Sequence, residues 1–141
     1  MTMPVWMLLA FASWTLLLLM FTIGIYRWQR ILLNGAGIAS FPGGAISGND
    51  WYARATRAHA NCVENLPVFT VAVMAMQLSN ISGSLVNNIA VIIVVARVLQ
   101  SLIHVLYRQT DLVVAFRFSF FFVQLAGFVT LILITVLKNL G

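Results

Sequence analysis

The chain has 141 residues, of which 62% are hydrophobic and only 8% are charged. This composition is too apolar for a soluble domain and indicates a single integral membrane domain over residues 1–141. The net charge of +5 does not indicate nucleic-acid binding, because most arginines lie within or beside apolar segments and form no basic tail. The single cysteine excludes an internal disulfide.

The first apolar segment extends from about residue 4 to residue 26 and carries no charge before Arg27. Apolar runs of about 20 residues cross a bilayer as a helix. The segment has no early basic residue and no clear small-residue cleavage site, so we expect a retained span and not a signal peptide. Arg27 and Arg30 then mark a membrane surface. The glycine-rich segment 34–50 is predicted to be a loop.

The second segment, about residues 51–78, is predicted to be a helix with one polar face. Charged side chains at membrane depth cost roughly 2.5–3.5 kcal/mol each on insertion scales, so they are rare and usually functional. Five polar residues fall within an arc of roughly 100° on this helix: Arg54, Arg57, Asn61, Glu64 and Asn65. Two cations, one carboxylate and two amides suit a small zwitterionic ligand better than they suit lipid.

The third and fourth apolar segments, about residues 85–107 and 112–137, also carry polar residues. In the third segment these residues follow helical spacing and share one face: Arg97, Gln100, Ser101, His104 and Arg108. In the fourth, Arg117 lies in the first turns, and Gln124 follows seven residues later on the same face. The four segments together predict an all-α, integral membrane four-helix bundle.

The distribution of positive charge predicts the orientation of this bundle. Arginines flank the two connections that lie on one side: Arg27, Arg30, Arg54, Arg57, Arg108 and Arg117. The opposite side carries Lys138 alone. The positive-inside rule therefore places both arginine-bearing connections in the cytoplasm and both termini outside. All the polar faces then begin at the cytoplasmic side and can meet in one cavity.

The second segment contains a long motif of mixed chemistry, Arg57-Ala-His59-Ala-Asn61-x-x-Glu64-Asn65-x-Pro67-x-Phe69. This motif resembles the signature of the MAPEG family, the membrane-associated proteins in eicosanoid and glutathione metabolism. The resemblance is sharp over residues 54–69 and looser over residues 97–121. It implies a homotrimer of four-helix bundles that binds glutathione between subunits. For a prokaryotic-type member it also implies the bacterial inner membrane.

The resemblance implies that one subunit contacts glutathione through Arg57, Asn61 and Glu64, with Arg54 and Asn65 nearby. The chemistry of these groups agrees with that assignment. Arginines bind carboxylates bidentately and stay charged when partly buried. A carboxylate such as Glu64 can hold the ammonium group of glutathione, and the asparagine amides can bind its peptide groups.

The neighbouring subunit is expected to contribute Arg27, more than Arg30, together with the residues of the third and fourth segments, among them Arg97, His104 and Arg117. Arg117 resembles the family arginine that stabilises the glutathione thiolate, and it is the candidate catalytic residue. An adjacent cation raises the thiolate fraction of a thiol whose free pKa is about 8.5. The resemblance therefore implies a glutathione transferase or peroxidase that acts on lipophilic electrophiles, with glutathione as co-substrate and no metal.

Structural roles are the competing interpretation of the same residues. The polar face of the second segment can be an interhelical network, with Arg97 paired to Glu64. His59 lies off that face and can form an interfacial hydrogen bond, and Cys62 can be a small buried apolar residue. The spacing of His59, His104 and Cys62 matches no common metal-ligand pattern, so no metal site is predicted.

Two other functions remain as alternatives. The first is a non-catalytic membrane protein of the same fold whose cavity binds a lipid or another small anion. The second is a small transporter or channel. Transporters built on inverted repeats have broken helices near the midplane in both halves, and here only Pro67 fits that pattern.

Overall fold

The computed structural model of the protein describes residues 1–41 and 50–140. These residues form four long helices and one short 3-10 turn, Ile38–Ser40. The four helices are, in chain order, Met3–Asn34, Asp50–Leu78, Ser84–Leu106 and Asp111–Leu140. The all-α prediction is confirmed. Most of the predicted loop over residues 34–50, including Pro42, lies outside the described residues.

The first helix continues past the apolar segment that ends at about residue 26 and stops where the predicted loop begins. It contains a π-helical segment, Leu19–Gly24, and then an α-helical segment, Ile25–Asn34. It ends at Gly35, whose φ of 63° is the left-handed conformation that glycine adopts readily at a helix C-terminus. Hydropathy falls after residue 26, but the chain has no helix breaker before Gly35. Arg27 and Arg30 therefore lie inside a helix and not after one.

Three of the helices are long and apolar enough to cross a membrane: Met3–Asn34, Ser84–Leu106 and Asp111–Leu140. Much of their outer surface is apolar and exposed, as in Leu16 and Leu133. The second helix does not meet the same criterion, because its charged residues lower its hydropathy. It nevertheless packs against the first, third and fourth helices. Its crossing of the bilayer stays a prediction.

Aromatic rings connect three of the helices in the centre of the bundle. The Phe69 ring lies 5.8 Å from the Phe11 ring and 5.9 Å from the Phe128 ring, measured between centroids. The tilted geometry of both pairs is the favourable one for aromatic side chains. The first and fourth helices each pack against the second and third. This arrangement leaves the arginine-bearing parts of the second, third and fourth helices close together.

Gly127 allows the third and fourth helices to approach closely, as small residues do in membrane bundles. A methyl group at this position would lie 2.7 Å from Cγ1 of Ile93, which is fully buried. We expect Gly127→Leu to lower the free energy of unfolding by roughly 1–3 kcal/mol, the usual cost of overpacking.

Denaturant unfolding in detergent micelles measures this effect. Gly37→Leu is the control, because a side chain there meets no described atom within 4 Å. An unchanged unfolding midpoint for Gly127→Leu would show that the two helices do not depend on a small residue at this contact.

Candidate functional site

A cleft of about 220 Å³ lies between the second, third and fourth helices. Its lining residues come from all three helices: Asn61, Gln100, Val114, Arg117, Phe118 and Phe121. The residues at positions 114, 118 and 121 share one face of the fourth helix because of their helical spacing. The cleft therefore combines three polar side chains with an apolar, largely aromatic wall.

Arg117, the candidate catalytic residue, lies in this cleft, and no described carboxylate compensates its charge. Its Nε is buried and has no hydrogen-bond partner within residues 1–41 and 50–140. Arg57 lies one turn before Asn61 on the second helix, and its charge repels that of Arg117. Among the described residues, the only ion pair is the one between Arg54 and Asp50. The cleft is therefore a region of unbalanced positive charge.

Arg54 differs from these two arginines because its charge is balanced. Besides its ion pair with Asp50, it donates from Nε and Nη2 to the backbone carbonyl of Val105, each over 3.4 Å. These bonds connect the start of the second helix to the end of the third. His104, which is buried near Val105, lies within the electrostatic reach of Arg54, Arg57 and Arg117. The structure thus brings these residues together within one chain, whereas the resemblance implied that His104 and Arg117 come from the neighbouring subunit.

The polar face of the second helix is only partly covered by the chain's own bundle. Arg57 and Glu64 are exposed, and Asn61 and Asn65 are half-buried. Asn65 donates from Nδ2 to the backbone carbonyl of Asn61 over 2.7 Å, so one of its donors is used within the helix. Arg57 and Glu64 do not pair with each other. The charged part of this face therefore remains open to another molecule.

The prediction that Arg97 can pair with Glu64 is wrong for the described residues. Arg97 is only 1% exposed, and its guanidinium lies 5.6 Å from the centre of the Phe11 ring. It interacts electrostatically with Cys62, which is buried as predicted. Cys62 and Glu64 are two positions apart and therefore point to nearly opposite sides of the helix. The thiol therefore contacts Arg97, and Glu64 acts on Arg97 only through its charge, without an ion pair.

Arg97 does not line the cleft, although it was predicted to contact the ligand. Its Nε and Nη2 are buried and have no hydrogen-bond partner within residues 1–41 and 50–140. The nearby Cys62 sulfur lies 3.5 Å from Oγ of Ser101. A contact between Arg97 and a ligand stays a prediction.

Arg27 lies outside the cleft of its own chain. Its Nε donates to the Tyr52 hydroxyl over 2.9 Å, and its guanidinium lies 5.7 Å from the centre of the Phe41 ring. Tyr52 also stacks on Tyr26, with 4.2 Å between the ring centres. Arg30 donates to the Tyr26 hydroxyl over 3.0 Å. The predicted contact of Arg27 with a ligand therefore needs a neighbouring subunit.

The polar stripe of the third helix is confirmed for Arg97, Gln100, Ser101 and His104, which are all buried. Arg108, predicted to continue this stripe past the end of the helix, is exposed and does not share the burial of the other four residues. The helix ends at Leu106, and the next residue adopts an extended backbone conformation.

Sequence reasoning did not identify two kinds of residue that line the cleft. The first is Gln100, which was recognised as part of the polar stripe but received no role at the site. The second is the pair Phe118 and Phe121, which received no role at the site. For Phe121 the available signal was its position four residues after Arg117, since residues i and i+4 share a helix face.

The MAPEG family model matches residues 5–137 of the chain. No curated protein and no solved structure gives a significant match. The family includes glutathione-dependent transferases and peroxidases as well as non-catalytic members, and its members are generally trimeric and bind glutathione. The match covers nearly the whole chain and includes every residue that lines the cleft. The chain therefore belongs to the MAPEG family.

Proposed function

We propose that this protein is a membrane-bound, glutathione-dependent transferase or peroxidase that acts on lipophilic electrophiles. The observation that carries the proposal is the pair Arg57 and Arg117, which repel each other and have no carboxylate partner among the described residues. Unpaired charge inside an apolar bundle is unfavourable, so an anionic ligand at this position stabilises the arrangement. Glutathione supplies two carboxylates and an ionisable thiol.

Arg117 stabilises the glutathione thiolate in this proposal. A free thiol has a pKa of about 8.5, and a neighbouring cation raises the fraction that is ionised at neutral pH. The thiol proton is released to solvent, and the thiolate sulfur attacks the electrophilic atom of the second substrate. In transfer, a carbon–sulfur bond forms and the leaving group departs or an epoxide opens. In reduction, two glutathione molecules convert a hydroperoxide to an alcohol and water and form glutathione disulfide.

The apolar wall of the cleft accounts for the lipophilic second substrate. Val114, Phe118 and Phe121 line the same cleft as Arg117, and Phe118 is exposed on the outer surface of the fourth helix. A substrate dissolved in the bilayer can therefore reach the sulfur from the membrane side. Holding the two reactants together in this way supplies a large part of the rate acceleration.

The size and exposure of the site support a homotrimer. A cleft of about 220 Å³ is smaller than the roughly 300–1,000 Å³ of typical ligand pockets. Arg57 and Glu64 are exposed on a helix that packs between three apolar ones, and charge facing lipid is unfavourable. A second copy of the chain completes the pocket and covers these residues. Arg27 then reaches the ligand from that second copy.

The arginines that surround the site lie at one end of the bundle, since Arg54 binds the carbonyl of Val105 across two helices. By the positive-inside rule we propose that this end faces the cytoplasm and that both termini face the periplasm. The bacterial inner membrane is what a prokaryotic-type member of the family implies. A reporter enzyme that is active only in the periplasm, fused after the last residue, tests this placement. An inactive fusion of a correctly inserted protein would contradict it.

A second candidate function is the non-catalytic binding of a lipid carboxylate. It is favoured by the same apolar wall, because a fatty-acid anion presents one carboxylate to Arg117 and a hydrocarbon chain to Phe118 and Phe121. The two functions differ in the ligand that binds and in whether a thiolate forms.

Calorimetric titration of the detergent-purified trimer with glutathione tests the proposed function. We expect saturable binding below about 1 mM, the upper end of common KM values. A parallel titration with a fatty-acid anion tests the second candidate. Folded, trimeric protein that shows no heat of binding with glutathione would exclude the transferase and peroxidase activity. If only the fatty acid then bound, non-catalytic lipid binding would replace it.

A further inference from the structure

Two glutamines connect the third and fourth helices beside the catalytic arginine. Gln124 donates from Nε2 to the backbone carbonyl of Phe120 over 2.9 Å and to Oε1 of Gln100 over 2.9 Å. Gln100 donates from Nε2 to the backbone carbonyl of Arg117 over 3.2 Å. Gln124 is 0% exposed and Gln100 is 6% exposed, so bulk water does not compete for these bonds.

These bonds fix the orientation of both side-chain amides. The carbonyl of Phe120 can only accept a hydrogen bond, so the Nε2 of Gln124 must face it. The second N–H of that nitrogen meets Oε1 of Gln100, which turns the Nε2 of Gln100 toward the carbonyl of Arg117. If the Gln100 amide were flipped, its N–H group would face the N–H group of Gln124. Its oxygen would face the backbone carbonyl oxygen of Arg117. Two hydrogen bonds would be replaced by two repulsive contacts.

The fixed orientation leaves one donor of Gln100 unused. An amide nitrogen carries two N–H groups, and the carbonyl of Arg117 takes one of them. In the part of the chain that the structure describes, no hydrogen bond uses the other. Gln100 also lines the cleft that contains Arg117. The unused N–H therefore belongs to a buried, oriented side chain that lines the same cleft as Arg117.

We propose that Gln100 is a catalytic residue that donates this N–H to the sulfur of bound glutathione, and that Gln124 is the positioning residue that orients it. The inference rests on the proposed function. A donor that is already oriented toward developing negative charge in an apolar site favours the ionised form without reorganisation. Arg117 supplies the net charge, and Gln100 supplies a directional contact to the same atom.

Methionine variants test this proposal, because methionine resembles glutamine in length and shape but has no N–H donor. We expect Gln100→Met to lower turnover, and also the acid dissociation constant of the bound glutathione thiol read from a pH titration of its thiolate absorbance, by roughly 10- to 100-fold, as for a hydrogen bond to a charged group. We expect Gln124→Met to lower turnover and the ionisation of the bound thiol roughly 10-fold each. The Kd for glutathione should stay within about 2-fold of the wild-type value. Because Gln124 acts only through Gln100, the double variant is no worse than Gln100→Met.

Thr135→Val is the matched control. It removes a hydroxyl that donates to the backbone carbonyl of Leu131 over 2.8 Å on the same helix, away from the cleft, and should change neither readout. If a methionine variant does not fold, Gln124→Glu replaces it. Glu keeps the size and polarity of Gln but has no pair of N–H donors to hold both Phe120 and Gln100, so the thiolate absorbance falls in the same direction.

The possible outcomes separate this inference from the proposed function. Wild-type protein that binds no glutathione overturns both. Wild-type protein that binds glutathione and forms the thiolate, together with unchanged thiolate absorbance in Gln100→Met, overturns only the donor role of Gln100. Additive losses in the double variant overturn the positioning role of Gln124.

Discussion

Arg117→Ala is expected to abolish nearly all turnover while the protein still binds glutathione. Arg117 lines the cleft, and the described residues provide no carboxylate partner for it, so its charge is available to the ligand. Removing one group that stabilises developing negative charge typically lowers kcat by about 100- to 1,000-fold. Steady-state conjugation of a lipophilic aryl halide measures kcat, and calorimetry measures the Kd for glutathione. A fall in kcat with little change in Kd identifies an interaction that matters mainly in the transition state.

Arg108→Ala is the matched control for this variant. Arg108 lies in the connection between the third helix and the fourth, which carries Arg117. It is exposed and lies beyond the end of the third helix. Its removal should leave kcat within about 2-fold of the wild-type value, in line with the small effects of surface substitutions. Arg117→Lys keeps the charge but loses the planar guanidinium, so we expect an intermediate kcat. Unchanged turnover in Arg117→Ala would remove this residue from the catalytic role.

Arg57→Ala is expected to weaken glutathione binding by roughly 10- to 100-fold, with a smaller effect on kcat at saturating substrate. The guanidinium of Arg57 is exposed and has no carboxylate partner among the described residues. It can therefore bind a glutathione carboxylate directly, and hydrogen bonds to charged groups contribute about 1.5–3 kcal/mol. Calorimetric titration of the folded trimer measures the change in Kd.

Two other arginines serve as controls for Arg57. Arg54 is already paired with Asp50, so we expect a smaller loss of affinity for Arg54→Ala. Arg30 donates to the Tyr26 hydroxyl outside the cleft, and Arg30→Ala should leave the Kd unchanged. Equal losses of affinity for Arg30→Ala and Arg57→Ala would mean that net charge, and not a specific contact, governs binding.

Hydrophobic periodicity and helical spacing were sufficient to predict much of this architecture. The third helix shows this most clearly, because Arg97, Gln100, Ser101 and His104 share one face by their spacing and are all buried. The first helix extends beyond its apolar segment, because residues after 26 are no longer apolar while no glycine or proline stops the helix between them and Gly35. The predicted start of the loop at residue 34 agrees with this helix end.

The contacts between helices could not be predicted in the same way. The pairing of Arg97 with Glu64 rested on opposite charge within two apolar segments. Helix rotation brings Cys62 into contact with Arg97, and Glu64 interacts with it through charge but forms no ion pair. The bonds from Gln124 through Gln100 to Arg117 depend on the packing of the third helix against the fourth. A single sequence contains the residues for this connection but not the crossing geometry that brings them together.

The ultraviolet difference spectrum of glutathione added to the trimeric wild-type protein at neutral pH is the most direct test of the central proposal, that the unpaired arginines hold an anionic thiol compound. We predict that a thiolate absorbance band appears on binding and is absent with Arg117→Ala. Saturation with glutathione, verified by calorimetry, without any thiolate band in the wild type would contradict this account, because the positive cleft would then bind the tripeptide without ionising its sulfur.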